Sequence, residues 1–233
     1  MSEPGSSRRG RGHDAEGTRE AILNAAEAVF AEHGFDGARV DAIATEAGYN
    51  KSLIFQYFGD KQGLYVEVMR RADNEMSVIQ KRLLESLQVD MAIFSDSRRF
   101  KDLLEVIIGV LFDYLVDHPR LVRMLSWEQA EGWETYKKIL SQFDIDDNEQ
   151  FETIFRAASD AGLLRLDFSP LFQITLALQV CQTYLSWKPL YEIVFPREDF
   201  SSPEARGRVR EYIIRFIVAG IMLDSARNSG DSP

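Results

Sequence analysis

Asn50, Lys51, Ser52, Phe55, Gln56 and Tyr57 crowd into one short stretch, and Lys61 follows four residues later. These side chains supply carboxamides, amines, hydroxyls and aromatic rings. They include no His or Cys to serve as base or thiolate and no pair of carboxylates, so the set is built to recognise rather than to transform. A glutamine such as Gln56 matches the donor and acceptor on an adenine edge, Lys51 a guanine edge or a phosphate, and the Tyr57 hydroxyl a phosphate oxygen. Asn50 and Lys61 precede or open predicted helices, where backbone amides and the helix dipole favour an anion. The chemistry is that of double-stranded DNA.

Such groups work only on a short helix, apolar on one side and polar on the other, held in a fixed attitude by its neighbours. Lys51–Phe58 meets that requirement. Ile54 and Phe58 are four apart and turn one face to a core with Ile43 and Val29, which leaves Lys51, Ser52, Phe55, Gln56 and Tyr57 for the outer face and its edges. Before it, Val40, Ile43, Ala44 and Ala47 predict a short helix stopped by Gly48. Earlier still, Ile22, Ala25, Ala26, Val29 and Phe30 predict a helix that starts near Thr18 and ends at Gly34. Asp60 can cap a long fourth helix reaching about Gln88. Helix, Gly turn and second helix make a helix-turn-helix.

The segment Thr18–Leu64 resembles the DNA-binding domain of the TetR family of transcriptional regulators. The matching residues are Phe30 with Gly34-Phe35, then Val40, Ile43-Ala44, Ala47-Gly48, Tyr57-Phe58, Lys61 and Leu64, in order and without a gap. The resemblance implies a homodimeric repressor that places two recognition helices in successive major grooves of a palindromic operator. It also implies an unidentified small-molecule effector in the C-terminal domain that shifts the fourth helix. Half-sites must sit roughly 34–36 Å apart or a multiple of that, so a small rotation spoils binding. Three positions depart from the family pattern. Arg39 stands where Ser or Thr usually caps the second helix, and exchanges a capping bond for a cation beside the DNA face. Phe55 replaces a common Tyr and loses its phosphate hydrogen bond. Asp41 replaces a basic or polar residue and faces phosphate with a like charge.

The whole chain carries a net charge of −10, and residues 1–63 hold 7 basic and 10 acidic side chains, so bulk charge does not draw this protein to DNA. The cations have to be placed: Lys51 and Lys61 bracket the second short helix, while Arg8, Arg9 and Arg11 lie in a Ser-, Gly- and Arg-rich arm over residues 1–17. That arm reads as flexible, either a solvated tail or a minor-groove contact. One cysteine precludes an internal disulfide and suits a reducing cytoplasm. There is no secretory signal, and apolar runs such as Leu103–Val116 are cut by charges, here Glu105 and Asp113, so no membrane span is expected. His13, His33 and His118 are scattered, which predicts no metal, and no motif for a cofactor or an acid–base pair is present. An enzyme is therefore not expected.

The remaining chain reads as helices throughout. They are expected over Phe100–Asp117, Leu121–Leu140, Asn148–Ala161, Ser169 to about Trp187 and Ser202 to about Arg227, with an acidic link at Asp144–Asp147. The expected fold is all-α: a flexible basic arm (1–17), a three-helix DNA-binding domain (18–63), and a larger helical bundle (64–233) joined to it through the long fourth helix. In that bundle Phe112, Met124, Trp127, Glu128, Phe155 and Tyr184 are candidates to line an effector cavity, against the alternative of a filled core. Trp127-Glu128 pairs an aromatic wall with a carboxylate, or else Glu128 faces solvent. The last two helices are apolar on more than one face. Ile174, Leu178, Cys181, Tyr212, Phe216 and Gly220 are candidates for a four-helix dimer interface. The alternative function is a small-molecule-binding or protein-interaction module that has lost DNA binding.

Overall fold

The computed structural model describes residues 8–86, 91–139, 149–165 and 168–223, and among these it is helical with no strand. The helices are α1 (Arg8–Gly37), α2 (Val40–Ala47), α3 (Lys51–Phe58), α4 (Lys61–Ser86), α5 (Ser97–Asp117), α6 (Pro119–Ala130), α7 (Glu134–Ile139), α8 (Glu149–Asp160), α9 (Pro170–Val194) and α10 (Pro203–Ile221), with a 3₁₀ turn at Met91–Ser95. They form two compact units, Met1–Glu75 with Arg120–Phe143, and Met76–Pro119 with Asp144–Pro233.

The first unit is organised around a core that includes Ile22, Ala26, Phe30, Ile43, Ile54, Leu64 and Tyr65. Phe30, Phe35 and Tyr65 interlock edge to face and stacked, with centroids 4.9 to 6.2 Å apart. Met124 and Ile139 complete this core from α6 and α7, so the first unit is built from two separate stretches of chain. The outer faces of α1 and α4 are tied by charge: Arg71 meets Glu20, Asn24 and Glu27, and Arg19 meets Glu67.

Most helix ends follow their residues. Gly48 stops α2 in the left-handed conformation (φ 73°), with its amide and that of Tyr49 returning to carbonyls of the last turn. The Ser169 and Ser202 side chains cap α9 and α10 ahead of prolines, as their sequences predict. Gly34, where the sequence reading ends the first helix, breaks the α1 span with non-helical backbone. Four other ends differ from the sequence reading. Helix α1 begins at Arg8 rather than near Thr18; no proline interrupts residues 8–17, and extending a nucleated helix costs little per residue. The contacts considered for the Arg8, Arg9 and Arg11 side chains lie outside the described residues, as does the Asp144–Asp147 link. Asp96, not Phe100, opens α5, its carboxylate accepting from the amides of Arg98 and Arg99. Helix α9 runs on through Pro189 to Val194, where Tyr184 before the proline stacks on Tyr191 after it at 6.1 Å and ties the two segments together. Helix α10 ends at Ile221 because the backbone there turns to pair with residues 163–165: Leu223 donates to Leu163 and Arg165 donates to Ile221.

In the second unit α5 packs on α9 and α10. Arg210 of α10 crosses Gly109 to reach Asp113 with two hydrogen bonds of 2.8 Å. The absent side chain of Gly109 is what leaves room for that guanidinium.

Candidate nucleic-acid interface

Helix α3 is only two turns long and is fixed at both ends. Asn50 accepts the amide of Leu53 at 2.8 Å, an N-cap that satisfies one of the free donors of the first turn. Gly59 ends the helix, and Asp60 accepts the amide of Gly63 at 2.7 Å to start α4. Ile54 and Phe58 are buried, which leaves Lys51, Ser52, Phe55, Gln56 and Tyr57 exposed on the outer surface. Phe55 and Tyr57 are among the large apolar side chains that water reaches, at 39% and 37%.

Several of these groups already have partners. Lys51 pairs with Asp41 at 3.1 Å and sits 5.9 Å from the Phe55 ring centroid. Asp41, the residue that would repel phosphate, is thus neutralised by the lysine that would attract it. The Tyr57 hydroxyl donates to the Ala15 carbonyl at 3.3 Å, which links α3 to the first turns of α1. Lys61 donates to the carbonyls of Asp36 and Ala38 at 3.3 and 3.0 Å and lies 4.6 Å from the Phe35 ring. Its ammonium therefore gathers the end of α1 and the start of α2, with one of its three N–H bonds left over. Arg39 precedes α2 in extended conformation, caps nothing with its side chain and is exposed. Ser52, Gln56 and Arg39 are the groups that stand outward with no ion-pair or side-chain hydrogen-bond partner among the described residues.

The six effector candidates are shared between the two units. Met124, Trp127 and Glu128 belong to the first unit; Phe112, Phe155 and Tyr184 belong to the second. Met124 is 1% exposed inside the first core. Trp127 lies against Gly34, and its indole N–H and the Arg123 guanidinium both donate to the Ala31 carbonyl, at 3.3 and 3.0 Å. Glu128 does not face solvent: at 1% exposure it accepts the Tyr65 hydroxyl at 2.7 Å and the Tyr136 amide at 3.0 Å. Burial first, then Glu128, holds the Tyr65 proton well above the usual tyrosine range. Three helices meet at this carboxylate, α4, α6 and α7. The signal was its spacing, four residues after Met124 and seven after Leu121, on the buried face of α6. In the second unit Phe112 and Phe155 are buried, and the Phe112 ring stacks on Tyr184 at 6.0 Å.

The dimer candidates divide as well. Tyr212 and Phe216 are exposed at 66% and 61%, Gly220 is exposed, and Ile174 and Leu178 are half-buried. Cys181 is fully buried in the second unit, where burial pushes its thiol up to about 12. Phe172 and Leu176, absent from the candidates, are open on α9 at 45% and 51%.

Residues 22–68 match the family model of bacterial regulatory proteins of the tetR family, and residues 101–217 match the tetracyclin repressor-like C-terminal domain. The chain is 39% identical over 118 residues to the HTH-type transcriptional repressor SCO4008 of Streptomyces coelicolor, covering 51% of this chain and 53%, about half, of that relative. It is 31% identical over 178 residues to the HTH-type transcriptional repressor NicS of Pseudomonas putida, covering 76% of this chain and 79% of the relative. Among solved structures it is similar to a transcriptional regulator of Streptomyces coelicolor, SCO4942, at 26% identity and a TM-score of 0.57, over 88% of this chain and 98% of that one.

Proposed function

The chain belongs to the TetR family of bacterial regulatory proteins, and on that premise we propose that it is a ligand-responsive repressor that binds a palindromic operator as a homodimer. One observation carries the reading: a two-turn helix, capped at both ends and packed through Ile54 and Phe58, turns Ser52, Phe55 and Gln56 outward together. Gln56 is assigned to a base edge, and Phe55 to a thymine methyl or to packing. Lys51, Tyr57, Arg39, Ser52 and the amide end of α3 beside Asn50 are assigned to phosphates or flanking edges. On DNA, Lys51 exchanges Asp41 for a phosphate, and Lys61 offers its remaining N–H while keeping α1 and α2 together. DNA reading is assigned to 18–63, and effector binding and dimerisation to 64–233, with α6 and α7 lending support to the reading head.

Dimerisation is assigned to the open faces of α9 and α10, where Phe172, Leu176, Tyr212 and Phe216 leave apolar surface beside the small residues Ala219 and Gly220. The effector acts by moving α4, a single helix along which the boundary between the two units falls, at Glu75–Met76.

A mobility-shift titration against the DNA upstream of the protein's own gene tests this. A sequence-selective shift that weakens with salt is expected, and its absence under every condition would remove the reading. The second reading, a binding module without DNA contact, draws on the internal partners of Lys51 and Tyr57. It predicts small-molecule binding with no such shift.

A further inference from the structure

Residues 18–63 carry only four basic side chains, Arg19, Arg39, Lys51 and Lys61, against seven acidic ones. Three of the four have partners among the described residues. Arg19 pairs with Glu67, Lys61 donates to two backbone carbonyls, and Lys51 pairs with Asp41 at 3.1 Å. The last pair differs from the others because it lies on the face assigned to DNA. Lys51 opens α3, Asp41 stands in the first turn of α2, and both are exposed, with the ammonium 5.9 Å from the Phe55 ring centroid.

An anion that takes Lys51 meets Asp41 as well. A phosphate oxygen at hydrogen-bond distance from this ammonium lies within about 6 Å of the carboxylate, two hydrogen-bond lengths, and is repelled by its like charge. Swinging Lys51 away from Asp41 leaves that carboxylate bare beside the DNA backbone. Either way the pair brings no net charge to the phosphate, so it releases no counterion on balance and adds nothing to the electrostatic part of binding. The surface ion pair itself is weak; what counts is a full negative charge fixed at the start of α2. We propose that Asp41 is an internal phosphate mimic that masks Lys51 and holds down affinity for DNA of every sequence, leaving selectivity to uncharged groups such as Gln56. It rests on the DNA-reading assignment above, and adds that the reading head is restrained by its own charge. A purely structural role for Asp41 is the alternative, since an acid in the first turn stabilises α2 through the helix dipole. The two roles predict opposite signs. Loss of a structural acid weakens DNA binding, whereas loss of a mask strengthens it.

Fluorescence anisotropy of the full chain, with a labelled duplex of unrelated sequence and with the DNA upstream of the protein's own gene, tests this across a range of salt. Counting charge at the pair, wild type brings zero, Asp41→Asn a single positive charge, Lys51→Ala a single negative charge, and the double variant zero again. At low salt Asp41→Asn should bind both duplexes about threefold more tightly for each reading head in contact, hence about tenfold for a dimer, the Coulomb repulsion across about 6 Å of water. Its salt slope should be steeper by about one per head. Asp41→Ala should do the same, which excludes a new hydrogen bond from the asparagine amide. Lys51→Ala should weaken binding by a similar factor, and Asp41→Asn combined with Lys51→Ala should return to within about twofold of wild type. Neutral variants that bind no more tightly than wild type, or a double variant as weak as Lys51→Ala, would overturn the mask; if wild type still selects the upstream DNA, the DNA-reading assignment survives that result. Absence of binding to either duplex by wild type and variants alike would remove both. Circular dichroism melts accompany the titrations: neutral variants that unfold would assign Asp41 to the fold and overturn the mask too.

Discussion

Gly34→Ala is the substitution whose cost can be worked most directly from this structure. Gly34 has φ 69° and ψ 179°, a region essentially closed to residues with a side chain. Holding an alanine there costs about 1–3 kcal/mol. A Cβ would also lie 3.1 Å from Cδ2 of Trp127 and 3.2 Å from Oε1 of Glu131, closer than normal contact. The Glu131 carboxylate can swing away, but Trp127 is anchored by its hydrogen bond to Ala31, so the ring contact adds about 1 kcal/mol. The total is about 2–4 kcal/mol, all of it in the first unit. Urea unfolding followed by tryptophan fluorescence measures it. In a Trp187→Phe background the signal comes from Trp127 and Trp133, both in that unit. In a Trp127→Ala background, with Trp133 as reporter, Gly34→Ala should cost about 1 kcal/mol less, because the backbone part persists and the ring contact does not. A Gly34→Ala variant within about 0.5 kcal/mol of wild type would refute the assigned conformation. An identical penalty in both backgrounds would refute the contact with α6.

Tyr65→Phe should cost about 1–3 kcal/mol at neutral pH, since it takes one hydrogen-bond donor from the buried Glu128 carboxylate. It should also change the alkaline limb: the folded state keeps the Tyr65 proton where the unfolded chain loses it near about pH 10, so wild-type stability falls as pH rises past that value. Urea melts between about pH 8 and 11 should show a shallower fall in the variant, with the remaining fall shared by Tyr136, whose proton burial also retains. Lys61→Ala should weaken binding about equally on all sequences with a salt slope shallower by about one, and also cost about 1 kcal/mol of stability through its carbonyl contacts. Loss of stability with an unchanged slope would assign the lysine to the fold alone. Phe216→Glu, at an exposed position on α10, should yield a folded monomer in sedimentation and lower operator affinity by roughly tenfold or more as the two reading heads are separated.

The reading head was legible because its logic is local. Ile54 and Phe58 one turn apart, Gly48 after an apolar run and Asn50 before Lys51 each specify conformation within a few residues, and α2 and α3 lie where those signals put them. The caps at Ser169 and Ser202 are legible for the same reason. What the sequence hid was long-range. Nothing near Trp127 announces that its indole meets a carbonyl of α1, 96 residues earlier. Nothing near Glu128 announces the Tyr65 hydroxyl, 63 residues earlier. Periodicity marks the buried face of α6 but not the partners that bury it, the Ala31 carbonyl for Trp127 and the Tyr65 hydroxyl for Glu128. Cys181 shows the same limit: an apolar position in a two-faced helix can look inward or outward, and the packing of α9 decided it. The charge problem was resolved in space, where Asp41 is matched by Lys51.

The central claim is that α3 reads base edges through Gln56. The direct measurement is the affinity of wild type and Gln56→Ala for the operator and for variants carrying each base pair substituted in turn. The account predicts that Gln56→Ala relaxes discrimination at one position in each half-site, symmetrically, by about 1–3 kcal/mol, and leaves the preference elsewhere intact. A uniform loss at all positions, or a base profile identical to wild type, would contradict it.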